Sequence, residues 1–538
     1  MMMVPIKDGV VSSAYPVAEL PQDKSFYQHF KRRFLEQSDK PALERNGEAL
    51  SFADVLSLME RYAVGFQRFG VSSGSRICVS VSNSAESFIA AYSLCCLGAA
   101  VVLVKPTLPE RDVLYQVKDS DVSFILTEKE NSEKIRNIHR KCQFKALFSV
   151  DRTSDFVCIQ DYEFVDDSQF QAPRIEEPQN HIMVYLYTSG TTGLPKGVEI
   201  SMYAFIASVE LSRASEFFKD RDVVLGWNPV THASGFIVPM IAFISGAMVV
   251  PARAGLSSKD FVEIVKKHKV TSFCAFPTAF RKLVFELDEG LFPSVKWIIV
   301  CGTGSTEDLY HRVLQVFQLE SLRNGYGLTE AIGFICITSA NAIEYRSVGH
   351  PLPMVECKIV DNASGRQLGP CEVGEITFRG PHVMRGYYKR PEATSQVLNE
   401  QQWFRSGDAG YYDRSGQLHV VERLKDMIKC MDQQVAPAEI ESLLTQHPLV
   451  LEAAVVGIDH LELGEAPTAF VVIKPSARGR VSEEELVRLV SDQTAFHKNL
   501  HGGVIFVDQI PKTDTGKYLR RELRQAHMRQ LSKAGYEP

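Results

Sequence analysis

YTSGTTGLPKGV, residues Tyr187 to Val198, is the stretch on which the reading of this chain turns. Within it Gly190, Gly193 and four small hydroxyl residues, Thr188, Ser189, Thr191 and Thr192, precede Lys196. Glycine lets backbone amides approach a polyanion closely, the hydroxyls add donors, and the lysine supplies positive charge. Phosphate binding is the natural reading, although a short tract of this kind is equally at home in a surface turn. The spacing is not that of a P-loop, GxxxxGK[ST], because Gly197 follows Lys196 and Pro195 precedes it. A P-loop kinase or NTPase is therefore disfavoured.

On either side of this loop, helical stretches alternate with β-branched runs. Phe52 to Gly70 reads as an amphipathic helix and Arg76 to Val81 as a strand, Phe261 to Val270 as a helix, and Ser272 to Phe276 and Val295 to Cys301 as strands. That rhythm predicts α/β layers with a largely parallel sheet. After about residue 340, shorter segments punctuated by glycine, such as Glu356 to Val360 and Glu375 to Phe378, predict a β-rich part. A compact α+β unit begins beyond Arg423: Pro437 opens a helix, Ala453 to Gly457 and Ala469 to Ile473 read as strands, and Ser482 with Glu485 forms a capping box. The expected fold is α/β, with a large N-terminal domain of layered α/β subdomains plus a β-rich subdomain over 1–423. A small α+β C-terminal domain follows over 424–538. No repeat of 20 to 50 residues is visible.

At 538 residues the chain exceeds the roughly 250–300 at which single cores stop growing, so at least two domains are expected. Net charge is −6 and no Lys/Arg block stands out, which argues against nucleic acid and for a small-molecule substrate. The eleven cysteines are scattered without CxxC or Cys/His ligand spacing, so free thiols in a reducing compartment are expected. Phe88 to Val104 is uncharged over seventeen residues, at the lower limit for a bilayer span, but Gly98 splits it into a buried helix and a core strand, Ala99 to Val104. No transmembrane segment is expected. Met1 to Val11 lacks an apolar signal region, and the last residues, Tyr-Glu-Pro, are not a peroxisomal tripeptide, so the expected location is the cytoplasm.

Further motifs follow the loop: Asn324 to Glu330 (NGYGLTE), Gly374 to Tyr387 (GEITFRGPHVMRGY), Trp403 to Asp413 (WFRSGDAGYYD), Arg423 to Lys429 (RLKDMIK) and Pro511 to Arg520 (PKTDTGKYLR). Together with Tyr187 to Val198 and from about residue 40 to 525, they resemble the adenylate-forming superfamily of acyl-CoA synthetases, firefly luciferases and peptide-synthetase adenylation domains. Gln434 to Glu439 (QVAPAE) and Gly502 to Asp508 (GGVIFVD) look most like the coumarate:CoA ligase and luciferase branch. The resemblance implies ATP, Mg²⁺ and coenzyme A as cofactors and a carboxylic acid as substrate. It also implies that the C-terminal domain is mobile, turning about a hinge matched by Lys425.

An aromatic between two glycines can lie against a purine, and a hydroxyl and carboxylate follow it. By resemblance Asn324, Tyr326 and Gly327 contact the nucleotide with Tyr326 stacked on adenine, Thr329 bonds the α-phosphate, and Glu330 holds Mg²⁺. Asp408 and Arg423 would bind the ribose; an ionised Asp408 is acceptor-only and suits a diol. Lys517 would bridge carboxylate and α-phosphate as charge builds. Lys425 and Lys429 would belong to the face used with coenzyme A. His232, within Asn228 to Phe236 (NPVTHASGF), gates the acid in the family; Ala233, Ser234 and Gly235 beside it are small enough to leave room for an acyl group, and Gly302, Thr303 and Gly304 match another wall. Two departures stand near the hinge: Glu422 replaces the usual aspartate, and Asp432 occupies a glycine position beside the coenzyme A path. Thiolation is thereby less secure than adenylation.

The leading expectation is an AMP-forming acid:CoA ligase acting on a fatty or aryl acid. A luciferase-like oxygenase and a non-catalytic nucleotide- or acyl-binding protein are the alternatives. Either a monomer or a homodimer is compatible with the sequence.

Overall fold

The computed structural model describes residues 6–20, 25–188, 194–302, 304, 307–431, 433–474, 479–513 and 516–533. Four sheets organise them. In the first, the parallel strands Ile182–Thr188, Ala100–Leu103, Arg76–Val79, Phe124–Thr127, Ala146–Ser149 and Val157–Cys158 lie side by side, and Lys196–Ser201 and Gly386–Tyr387 add an antiparallel edge. The second has nine strands, with a parallel centre running Met248–Pro251, Val223–Gly226, Ser272–Ala275, Trp297–Cys301 and Ser321–Leu328. A six-stranded antiparallel sheet ends at Leu418–Arg423. The next strand, Ile428–Cys430, already belongs to the fourth sheet, built on the hairpin Val450–His460 and Gly464–Ile473.

The apolar stretch Phe88 to Val104 forms most of the helix Ala85–Cys96 and the strand Ala100–Leu103, with Gly98 turning between them at φ +66°. Every residue of that helix except Glu86 is buried, because it packs between the helices Phe52–Gln67 and Phe26–Leu35 and its own sheet. Among the described residues no helix is long and apolar enough to cross a membrane. All eleven cysteines are free.

Some sequence expectations shift in detail. The helix from Phe52 stops at Gln67, and Gly70 leaves it at φ +85°. The strand expected over Ala453 to Gly457 runs from Val450 to His460; Glu452, which interrupts its apolar pattern, sits at a register irregularity and pairs with Lys512 at 2.6 Å. The capping box at Ser482 is one-sided: Ser482 accepts the Glu485 N–H at 3.2 Å, while the Glu485 carboxylate turns to His447.

Asn83 ties the two large sheets together. Its amide group donates to the carbonyls of Gly226 (2.9 Å), Asn228 (2.8 Å) and Ala252 (3.1 Å), and its oxygen accepts the Val230 N–H at 2.7 Å. The segment that carries His232 is thus anchored from the neighbouring sheet.

Candidate functional site

A cleft of about 750 Å³ opens where the ends of the two large sheets face the C-terminal unit. Of the residues nominated from sequence, Thr188, His232, Gly327, Thr329, Glu330, Arg423, Lys425 and Lys517 line it. Ser189, Gly190, Thr191, Thr192, Gly193, Thr303 and Asp432 lie outside the described residues.

The flanks of the glycine-rich loop are held in register. Thr188 ends one strand, Lys196 begins the next, and the two are antiparallel partners. Tyr187 anchors the first flank by donating to Asp119 at 2.9 Å. Lys196 places its ammonium 5.0 Å from the centre of the Tyr387 ring. Tyr387, on the small strand added to this edge, donates its O–H to Glu330 at 2.8 Å. This tyrosine joins the loop lysine to the nominated metal carboxylate, a link that sequence reasoning missed; the signal was an aromatic beside Gly386 at the end of a motif already singled out.

Thr329 and Glu330 occupy a short 3-10 turn at the tip of the hairpin formed by Ser321–Leu328 and Gly333–Ile337. The hairpin closes tightly because Gly327 has no side chain: a Cβ there would stand 2.1 Å from the Gly333 carbonyl oxygen. Among the described residues no group of three or more His, Cys, Asp or Glu could hold a metal ion. A lone Glu330 fits Mg²⁺, which commonly takes one or two carboxylates and fills its octahedron with phosphate and water oxygens.

Behind this turn Asp408 is buried on the strand Phe404–Tyr412, opposite Arg423 in register. Arg423 donates from Nε at 2.7 Å and the Tyr326 O–H donates at 2.5 Å. Burial raises the Asp408 carboxyl above its usual range, against the opposing pull of Arg423 and Tyr326. Tyr326 is buried with it and, like Asp408, stands behind the cleft lining. Asn324 has a structural task instead of a place at the cleft: it is buried, and its amide hydrogens go to the carbonyls of Tyr345 (3.1 Å) and Ser347 (3.0 Å). Gly304 is exposed and outside the lining, whereas Gly302 lies within it. At φ +99°, a Cβ on Gly302 would meet the Phe276 ring at 2.7 Å.

His232 caps the helix Ala233–Ile244: its Nδ1 accepts the Ser234 N–H at 3.2 Å, and its ring meets Phe276 edge-on. Burial, with the Lys105 and Lys517 cations nearby, pushes it down to about 3, so the ring is neutral at physiological pH. Ala233 and Ser234 line the cleft. Gly235 does not; it is small for packing, since a Cβ would stand 1.8 Å from the Pro229 carbonyl oxygen.

Lys517 reaches the cleft from the C-terminal unit. Enclosure and the Arg423 cation lower its affinity for a proton, while Asp408, Cys301 and Glu330 oppose that effect. Lys425 also lines the cleft; Lys429 stands outside it, exposed, with its backbone N–H donated to Glu465 at 2.8 Å.

Parallel strand ends, the flanks of a glycine-rich loop and facing cations are the setting of a nucleotide-type site. The chain belongs to the AMP-binding enzymes, within the adenylate-forming superfamily: residues 30–388 match that family and residues 439–517 match the AMP-binding enzyme C-terminal domain. It is 30% identical to 4-coumarate–CoA ligase-like 6 of Arabidopsis thaliana, over 96% of this chain and 93% of that one. Luciferin 4-monooxygenase of Photuris pensylvanica is also 30% identical, over 90% and 91%. Among solved structures, o-succinylbenzoate CoA synthetase from Bacillus subtilis, in complex with its acyl-adenylate intermediate, superposes with a TM-score of 0.79 at 26% identity, covering 92% of this chain and 97% of that one.

Proposed function

We propose that this protein is an AMP-forming acid:CoA ligase, which joins a fatty or aryl carboxylic acid to AMP and then transfers the acyl group to coenzyme A. The observation that carries the reading is that one cleft gathers Lys517, Thr329, Glu330 and Arg423 from separate elements, beside the flanks of a phosphate-type loop. The likeness to 4-coumarate–CoA ligase-like 6 and to the succinylbenzoate CoA synthetase in its acyl-adenylate complex supports it.

The acid's carboxylate attacks the α-phosphorus of MgATP and pyrophosphate leaves. Lys196 and the loop hydroxyls steady the departing phosphates, Glu330 would hold the magnesium that arrives with ATP, and Arg423, with Asp408 paired behind it, would hold the ribose. Lys517 meets the negative charge that builds between carboxylate and phosphate, where a preorganised cation stabilises the transition state more than the ground state. His232 is neutral, and because its Nδ1 accepts the Ser234 N–H its proton resides on Nε2. It can therefore donate to the acid without adding a third charge. In the second half the thiolate of coenzyme A attacks the acyl carbon and AMP leaves, on the face to which Lys425 and Lys429 belong after the C-terminal unit turns. The enzyme needs no nucleophile of its own: Cys301, which lines the cleft, is pushed up to about 12 by burial and remains a thiol.

Ala233, Ser234, Ile237, Phe276 and Phe334 make one arm of the cleft largely apolar, which favours an alkyl or aryl substituent. The test is acid-dependent pyrophosphate release over 4-coumarate, benzoate, hexanoate and laurate, with and without coenzyme A. Lys517→Ala is expected to lower adenylation by roughly 100- to 1,000-fold while sparing thiolysis of supplied acyl-adenylate. Equal loss of both half-reactions removes Lys517 from this role. Light from luciferin, ATP and oxygen without coenzyme A replaces the ligase reading with an oxygenase.

A further inference from the structure

Three residues beyond Lys517, Arg520 still lines the cleft with part of its side chain and enters a charged junction. Its guanidinium pairs with Glu441 on the helix Pro437–Gln446, donating to Oε2 at 3.2 Å and also to Oε1, and reaches the Val455 carbonyl at 3.4 Å. Those contacts are internal to the C-terminal unit. One further contact is not: Arg520 Nη2 stands 3.6 Å from Glu422, on the last strand of the six-stranded sheet. The same carboxylate accepts the Ala438 N–H at 3.2 Å, at the first turn of the helix that carries Glu441, and the Arg423 N–H at 2.9 Å. Glu422 therefore grips the C-terminal unit at two points, one on a helix start and one on the arginine that follows the lysine loop.

Side chains alternate along a strand. Arg423 turns into the cleft, pairs with Asp408 and faces Lys517; its neighbour Glu422 turns away and meets Arg520. One strand end thus presents two opposite charges to the segment Lys517 to Arg520: the Arg423 cation repels the Lys517 ammonium, and Glu422 attracts Arg520. Lys517 itself has no carboxylate within ion-pair distance among the described residues, so the pose of its ammonium depends on what fixes its backbone.

We infer that Arg520 is a positioning residue for Lys517, and that its contact with Glu422 is the junction that sets the lysine in the cleft. The Glu441 arm maintains the C-terminal unit, whereas the Glu422 arm orients that unit toward the nucleotide site. The inference rests on the proposed role of Lys517 in adenylation. Misplacement of a reacting group by about 1 Å can cost about a hundredfold in rate, so Glu422→Gln is expected to lower acid-dependent ATP–pyrophosphate exchange by roughly ten- to a hundredfold. Thiolysis of supplied acyl-adenylate, made from whichever of 4-coumarate or hexanoate is faster, is expected to stay at the wild-type rate. Glu422→Asp is expected to recover part of the exchange. Glu441→Gln, by contrast, is expected to depress both half-reactions together and lower the melting temperature.

Burial holds the Glu422 carboxyl up at about 6; Arg520 pulls against this, and Glu441 and Asp426 reinforce it. In the wild type the ratio of exchange to thiolysis should therefore fall as pH drops through about 6, and Glu422→Gln should remove that fall. Equal losses in both half-reactions, or no loss in exchange, overturn the junction. If the wild type exchanges pyrophosphate with none of the acids, the proposed function fails first. The junction is then judged by small-angle X-ray scattering: a larger radius of gyration for Glu422→Gln supports it, and an unchanged one overturns it.

Discussion

Glu210→Gln is the substitution through which the scaffold behind the loop can be tested. Glu210 lies on the helix Met202–Ala214, which follows directly from the strand Lys196–Ser201 and is capped by Ser201. Its side chain is fully buried, with His29 Nε2 at 2.9 Å, Arg213 Nε at 2.7 Å and Arg33 at 3.4 Å. Burial alone would raise its carboxyl, but the His29 hydrogen bond and the Arg213 charge outweigh burial and hold it down at about 2 against a usual 4.5. At about 1.4 kcal/mol for each tenfold in acidity, the ionised carboxylate stabilises the fold by about 3 kcal/mol at pH 7. The folded value is depressed, so this contribution is complete above the unfolded value near 4.5 and is lost as pH falls toward 2. Glutamine keeps the shape and one acceptor but removes the charge that holds two arginines. Urea unfolding at pH 7 should show the variant less stable by about 2–4 kcal/mol, with the gap narrowing by about 1 kcal/mol at pH 3.5. A gap below about 1 kcal/mol at pH 7, or one that does not narrow in acid, refutes the reasoning.

Three other outcomes are expected. Gly235→Ala must displace the Pro229 carbonyl and is expected to cost about 1–3 kcal/mol, read as a fall in melting temperature; wild-type stability would mean that the turn yields freely. Tyr387→Phe keeps the ring under Lys196 but removes the O–H donated to Glu330, and is expected to lower kcat/KM for ATP about tenfold, the equivalent of about 1.4 kcal/mol; unchanged kinetics would deny Tyr387 a part in placing Glu330. Phe334→Ala enlarges the apolar arm, where each methylene is worth roughly tenfold or more, so its rate profile across hexanoate, octanoate and laurate should shift to longer chains; an unchanged profile would remove Phe334 from the acid pocket.

Much of this architecture was legible because it rests on periodicity and glycine placement. The alternation of helices and β-branched runs foretold parallel sheets, and the split of Phe88 to Val104 at Gly98 foretold a buried helix followed by a strand. What was not legible is which of two physical demands a small or polar residue meets. Gly235 resembles pocket space in sequence, yet the Pro229 backbone fills that space. Asn324 stands in a motif with Thr329 and Glu330, yet two backbone carbonyls hold its amide elsewhere. Tyr387 and Glu330, or Glu422 and Arg520, are 57 and about 100 residues apart respectively, and their contacts come from tertiary packing that no local pattern encodes.

The four contacts of Asn83 bear on how the chain assembles. Its partners lie 143 to 169 residues downstream on another sheet, so neither side can be satisfied until both sheets are in place. A buried donor or acceptor left unmade costs about 1–3 kcal/mol, and here one side chain answers three carbonyls and an amide at once. A chain with only its first sheet formed leaves these groups to water, and the seam can close without that cost only in the register that makes all four bonds. The seam therefore couples the two sheets: the shape of the segment bearing His232 is fixed by a side chain from the neighbouring sheet's region.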